Sequence, residues 1–178
     1  QGVWTVITTT GEVLFTPALN YNGTTTNIYQ ICDGGSPSLC DTALLTVIVT
    51  PINDKPIIVN ENLITPFNTT ITRNVASGIL SNGDKDPDTT ALSVQTTPIR
   101  QTKNGTFTVS ADGSYTYVPN NNFVGKDTSI VNVCDSGKPL PAQCAPDTVF
   151  ITVQPSSTNR PPVTVNETVT TNEDTPIV

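Results

Sequence analysis

Hydrophobic and polar residues alternate along two neighbouring runs, Gly105-Thr-Phe-Thr-Val109 and Ser114-Tyr-Thr-Tyr-Val118, separated by Ala111-Asp112-Gly113. Period-two alternation on both sides of a Gly-containing turn predicts a β-hairpin. The same pattern opens the chain, with Trp4 where Phe107 stands and Phe15 where Tyr117 stands. These aromatic side chains are expected in a core. Further runs predict strands at 129–133 and 147–153, copied at 27–31 and 42–49, with 57–59, 69–73 and 91–96 earlier in the unit. Roughly seven short strands per hundred residues is the pattern of an all-β, two-sheet sandwich of immunoglobulin type.

The copying is systematic. Gly11-Glu-Val-Leu-Phe-Thr-Pro17, Asn20-Tyr-Asn-Gly23 and Ile28-Tyr-Gln-Ile-Cys-Asp33 return at an offset of 102 as Gly113-Ser-Tyr-Thr-Tyr-Val-Pro119, Asn122-Phe-Val-Gly125 and Ile130-Val-Asn-Val-Cys-Asp135. Past the cysteines the offset drifts to 106, aligning Pro56-Ile-Ile-Val-Asn-Glu61 with Pro162-Val-Thr-Val-Asn-Glu167. An internal repeat of this length defines the domain unit. Residues 1–50 then form the C-terminal half of one repeat, 51–56 a Pro-rich linker, 57–154 a complete β-sandwich, 155–162 a second Pro-rich linker and 163–178 the start of a third repeat. Proline fixes φ and removes donors, so both linkers read as short, semi-rigid connectors in an extended rod. The sequence is expected to be a window cut from a longer array, and the absence of any Met agrees. A reciprocal swap between two copies is the weaker reading, since it would lack a counterpart of residues 73–104.

Charge narrows the partners. A formal net charge of -7, with 8 Lys and Arg in total, disfavours nucleic acid and anionic membranes. No apolar stretch approaches a membrane span. The expected partners are neighbouring repeats of the same chain, with surface polysaccharide, a substratum or other cells engaged through regions outside it. The four cysteines fall as two close pairs, Cys32 with Cys40 and Cys134 with Cys144, each flanking a turn-rich loop. Each pair is expected to close a hairpin loop as a disulfide, in an oxidising compartment. Free thiols are the alternative. Zinc is disfavoured because the chain has no His.

Asp84, Asp86 and Asp88 place three carboxylates on alternate residues. In a turn that spacing lets oxygens converge on one hard cation such as calcium; a solvated acidic turn is the alternative. A second candidate lies at the first linker, where Asn53 and Asp54 could meet Glu61 and an acidic loop of the neighbouring unit. The second linker has Thr158-Asn159 and lacks that carboxylate. Catalysis has little to stand on. With no His there is neither a Ser-His nor a Cys-His pair, and paired carboxyls such as Asp84 and Asp86 would have to flank a bound sugar to act in glycoside hydrolysis.

Gly78-Ile-Leu-Ser-Asn-Gly-Asp-Lys-Asp-Pro-Asp88, Asn104-Gly-Thr-Phe-Thr-Val109, Asp112-Gly-Ser-Tyr-Thr-Tyr-Val-Pro119, Pro51-Ile-Asn-Asp-Lys-Pro56 and Asn172-Glu-Asp-Thr-Pro-Ile177 resemble the bacterial cadherin-like, immunoglobulin-like tandem repeats of giant surface adhesins. The cysteine-flanked loop before Leu39-Cys-Asp-Thr-Ala43 is similar to repeats of SprB-type gliding adhesins of the Bacteroidota. The resemblance implies an exported, surface-displayed filament that often binds calcium at the Asp84 to Asp88 run. Here Thr89-Thr90 replaces the Gly and Asp that usually continue that run. It also implies glycosylation at Asp-Ser/Thr-aliphatic motifs, with Thr42 and Thr148 as equivalent positions and Thr89 as a third. Asn-linked sequons at Asn22, Asn68, Asn104 and Asn166 are expected to be silent. The leading expectation is a non-enzymatic spacer that holds an adhesive tip away from the cell. A carbohydrate- or protein-binding module, or an accessory domain of a secreted enzyme, is the alternative.

Overall fold

In the computed structural model, which describes residues 1–88, 90–155, 166, 168–174 and 176, two long antiparallel hairpins repeat one another. One joins β3 (Gly23–Cys32) to β4 (Cys40–Val49); the other joins β10 (Gly125–Cys134) to β11 (Cys144–Gln154). In both, the cysteines face each other across the last rung, Cys32 opposite Cys40 and Cys134 opposite Cys144. Both pairs are disulfides, with S–S distances of 2.01 and 2.03 Å.

Around the second hairpin the unit is complete. β5 (Glu61–Pro66) runs parallel to β11, and β7 (Ser93–Val94) closes the other edge, giving the order β5-β11-β10-β7. A second sheet, in the order β6-β9-β8, is built from β6 (Ile71–Arg73), β8 (Gly105–Val109) and β9 (Tyr115–Pro119). Alternate residues of β10 and β11 face inward: Val131, Val133, Val149, Ile151 and Val153 are buried against Phe107, Tyr115, Tyr117, Leu63 and Ile79. Seven strands in two sheets confirm the all-β sandwich. Two single-turn 3-10 helices, Val75–Ser77 and Ile79–Ser81, cross the end of the sandwich and insert Ile79 into the core. Gly105 is held without a side chain because a Cβ there would lie 2.5 Å from the Tyr117 ring on the neighbouring strand.

The first half-unit keeps the same pairings. β1 (Gly2–Ile7) and β2 (Glu12–Pro17) place Trp4 opposite Phe15, as β8 and β9 place Phe107 opposite Tyr117. The Trp4 and Phe15 rings lie 4.7 Å apart, yet both remain partly exposed.

Three of the expected strands fall short of their expected spans. Residues 57–59 form only a single bridge, Ile57 to Lys85, because side chains take the Val59 backbone: Asp84 accepts from its N–H, and Asn82 donates to its carbonyl. The strand begins instead at Glu61, in Asn60-Glu61-Asn62, a segment polar enough to read as loop. The 91–96 strand shrinks to Ser93–Val94; pairing along that edge resumes at Arg100 with Ile130, beyond Pro98, which has no N–H to give. The 69–73 strand shortens to Ile71–Arg73.

Register also corrects the equivalence of Thr42 and Thr148. Thr42 pairs with Gln30 and Thr148 with Ile130. Position 28, the counterpart of Ile130 at the offset of 102, pairs with Leu44, so Leu44 is the hairpin counterpart of Thr148. The cysteine loops differ in length, with separations of 8 and 10, and the offset along the second strand of each hairpin is accordingly 104.

Candidate functional site

The first linker does not pass freely into the sandwich. The Asn53 side chain is buried, donating from Nδ2 to Asp135 Oδ2 at 3.0 Å and to the Pro141 carbonyl at 2.9 Å. Gln143 donates its side-chain amide to the Asn53 carbonyl. All three partners belong to the Cys134–Cys144 loop, whose Asp135 also accepts the N–H groups of Gly137 and Gln143. The disulfide ties the ends of a loop whose interior grips the linker. Asp54 donates its N–H to Asp88 Oδ2 at 2.6 Å, Asp88 N–H reaches Asp86 Oδ1 at 2.8 Å, and the Thr90 hydroxyl donates to Asp86 Oδ2. A cleft of about 770 Å³ opens beside this joint, lined by Asn22, Pro51, Pro87, Asp88, Lys138 and Leu140, among others.

The expected metal candidates therefore fall into two groups. Asn53, Asp54, Asp86 and Asp88 meet at the joint. Asp84 turns away, donating nothing and accepting from Val59 N–H at 2.8 Å, with its other oxygen buried. Glu61 joins Asp84 rather than the linker. Its Oε1 accepts from Asn82 Nδ2 at 2.6 Å, and its carboxyl is hydrogen-bonded to Asp147 on β11. The sequence alone marks Asp147 only as the residue before Thr148 in a short Asp-Thr-aliphatic motif. The signal was its place at a buried rung: it pairs with Val131, two residues before the buried Val149.

Burial above all pushes the Glu61 carboxyl well above the usual carboxylate range, and its neighbours Asp147 and Asp84 push it further. Burial likewise raises Asp147, partly offset by the hydrogen bond it accepts from Glu61, and raises Asp84 against the opposing Val59 N–H. Desolvation and like charge disfavour the ionised forms together. Among the described residues, no three of His, Cys, Asp and Glu stand as a ready metal cage. At the joint, however, Asn53 Oδ1 is buried without a hydrogen-bond partner. That orphan acceptor is an oxygen of the kind calcium takes, but the carboxylates of Asp54, Asp86 and Asp88 are not gathered with it into a cluster.

Thr42 is exposed on β4. Thr148 on β11 is half-buried, its N–H bound to Asn60 Oδ1 at 2.9 Å. Thr89 lies outside the described residues, as do 156–165, which hold most of the second linker, and much of the expected third repeat. Among the sequons, Asn68 is engaged with Asn122 through paired hydrogen bonds of 3.1 and 2.6 Å, while Asn22 and Asn166 are exposed and Asn104 is half-buried.

The sequence profile of the bacterial cadherin-like domain matches residues 53–155. The chain belongs to that family. No curated protein matches this cadherin-like chain. Among solved structures it is similar to protocadherin gamma C5 EC1–3, with 17% identity over 86% of this chain and 52% of that one, at a TM-score of 0.52. Protocadherin gamma B7 EC3–6 matches at 15% identity over 74% and 32% of the two chains, TM-score 0.47. An endo-fucoidan hydrolase of glycoside hydrolase family 107 matches at 16% identity over 88% and 23%, TM-score 0.39. The chain spans about half or less of each of these structures, and only the first likeness bears on the argument, for the fold alone. Family and disulfides fit an adhesion-related extracellular or secreted module. Among the described residues, no helix is long and apolar enough to cross a membrane.

Proposed function

We propose that this chain is a stalk segment of a large exported bacterial surface adhesin, a non-enzymatic spacer that serves attachment or gliding motility of the SprB type. The observation that carries the reading is the knitted joint. Asn53 and Asp54 tie the linker to the disulfide loop and to Asp88 of the following sandwich, which limits the angles one repeat can adopt against the next. Successive repeats joined this way transmit position and load along the array. The surface polysaccharide, substratum or cell that is gripped belongs to other parts of the adhesin.

Calcium would act at the same joint. Asn53 Oδ1 and the carboxylates of Asp54, Asp86 and Asp88 would have to close on it, adding a hard-ion crosslink between linker and loop. Thr42, Thr148 and Thr89 would carry sugars on the exported filament.

Antibodies against residues 57–154 should label intact cells, and deletion of the region should shorten the surface filament and weaken attachment. Chelation, or Asn53→Ala, should open the chain to protease at 50–56 while leaving the 57–154 core intact. Saturable binding of the isolated repeat to one sugar on a glycan array would replace the spacer reading with a binding module.

A further inference from the structure

The first half-unit has an open sheet edge, and the chain carries a second copy of the strand that would fill it. β4 has β3 on one side and, among the described residues, no strand on the other. In the complete unit that position belongs to β5, which runs parallel to β11 with Leu63 opposite Ile151. Beside β5, the inward side chains Val149, Ile151 and Val153 are buried. Their counterparts Leu45, Val47 and Val49 are only half-buried. An uncovered edge beside a partly wet apolar face is a template for strand addition.

The matching strand lies in residues 168–174. At the offset of 106, Val169 stands for Leu63, Thr171 for Thr65 and Asp174 for Asn68. The likeness extends to conformation. The Thr171 hydroxyl donates to the Asn172 carbonyl at 3.3 Å, as the Thr65 hydroxyl does to the Pro66 carbonyl at 3.4 Å. A turn follows in both, over 67–68 and 173–174, and holds Asn68 at φ 55° and Asp174 at φ 63°, left-handed backbone that few side chains adopt. Yet Leu63 is 3% exposed and Val169 is 62% exposed. The segment is turned like β5, but its apolar side chain lies open to water.

The half-unit is shaped to receive that turn as well. In the complete unit Asn122 donates its N–H to Asn68 Oδ1 at 2.6 Å, and Asn68 Nδ2 donates to Asn122 Oδ1 at 3.1 Å. Asn20, the counterpart of Asn122, holds the same left-handed backbone, at φ 58° against 61°. The two oxygens of an Asp174 carboxylate can accept from the N–H and the side-chain amide of Asn20 together.

We propose that residues 168–174 of one copy of this chain add as a parallel strand to β4 of a second copy, with Val169 against Val47 and Asp174 against Asn20. The donated strand covers the β4 side of the apolar groove lined by Val6, Ile31 and Leu45, among others, and leaves the β3 side open. To reach its own β4, the run after Gln154 would have to retrace β11, about 36 Å for eleven residues. It would then have to pass the linker and the end of β4, close to the fully extended limit of about 50 Å for the residues available. A second copy meets the segment without that stretch. The proposal stands without the stalk reading.

Sedimentation of the full chain over a range of concentrations tests it. The wild type should form species heavier than the monomer as concentration rises. Val169→Asp, in the donor, and Val47→Asp, in the acceptor, should each leave the chain monomeric, and mixing the two variants should restore a 1:1 complex, since each keeps the half that the other lacks. Thr170→Asp should associate like the wild type, because its counterpart Ile64 faces outward at 60% exposure. Should Val47→Asp disturb its own hairpin, Val169→Asp lies in an exposed segment and is mixed instead with wild type, whose larger species it should cap and shorten. A wild type that stays monomeric at millimolar concentration, or association that Val169→Asp leaves unchanged, would overturn the proposal.

Discussion

Hairpins β3–β4 and β10–β11 share their pairing pattern, their closing disulfide and much of their sequence, yet one is a core element and the other is not. Along β10 every second residue from Asp127 to Val133 is buried; along β3 only Thr25 is. Tyr29 and Ile31, counterparts of the buried Val131 and Val133, remain exposed, and Leu45, Val47 and Val49 are only half-buried; among the described residues no three-stranded sheet covers them. Only the β1–β2 hairpin stands near, across an apolar groove of about 800 Å³ lined by Val6, Val13, Ile28, Ile31 and Leu45, among others. Local pairing and a crosslink form a hairpin, but the hydrophobic gain comes only when a second layer removes the inward face from water.

The loops diverge in the same way. Asp33 is exposed and serves only its own loop, accepting from Gly35 and Leu39, which holds its carboxyl below the usual range. Asp135 is buried and also receives Asn53 from the linker. One loop is closed on itself; the other has become a clamp.

Core truncation should separate the hairpins most. Ile151 pairs with Asp127 and Val47 with Thr25, so they are counterparts. Ile151→Ala should cost about 2–5 kcal/mol in denaturant unfolding of the sandwich, while Val47→Ala leaves that transition in place. Equal effects would mean that the first half-unit shares the core.

Removing the crosslinks gives a second contrast. Replacing Cys134 and Cys144 by Ala should destabilise the sandwich by about 2.5–3 kcal/mol, from the entropy of closing so short a loop. The same change at Cys32 and Cys40 should leave the sandwich midpoint unmoved. A matching shift in both would show the hairpins to be coupled.

The smallest effect is expected in alkali. Tyr117 is buried, and desolvation first, then the charge and hydrogen bond of Asp127, raise its phenol above the ordinary value near 10. A raised acid binds its proton more tightly in the folded state than in the unfolded chain. Its contribution to stability is full below about pH 10 and is lost as pH climbs from there towards the folded value. Tyr117→Phe should therefore flatten the loss of melting temperature above pH 10. Its counterpart is Phe15, which has no proton to lose. An unchanged alkaline profile would leave Tyr117 without this role.

Alternation, the repeat and the cysteine spacing made the sandwich, both disulfides and the Trp4/Phe107 and Phe15/Tyr117 correspondences legible in advance, because each is encoded by residues close in sequence or by periodicity. β5 was not legible: Asn60-Glu61-Asn62 looks like loop until the edge of β11 supplies partners. The candidate site was half legible. The alternate aspartates were visible, but their grouping was not: only the folded chain turns Asp84 towards Glu61 and Asp147 and sends Asp86 and Asp88 to the linker. Asp147 has Ala43 as its hairpin counterpart by register, a difference that a three-residue motif shared with Asp41 had concealed.

The sequence by itself determined the strands, their repeat and the sulfur crosslinks, since these follow from short-range patterns that any copy of the unit carries. Which carboxyls lose their water, which loop grips the linker and which hairpin has a buried face were decided by tertiary structure. Desolvation depends on what lies opposite, and in a β-sandwich what lies opposite is distant in sequence.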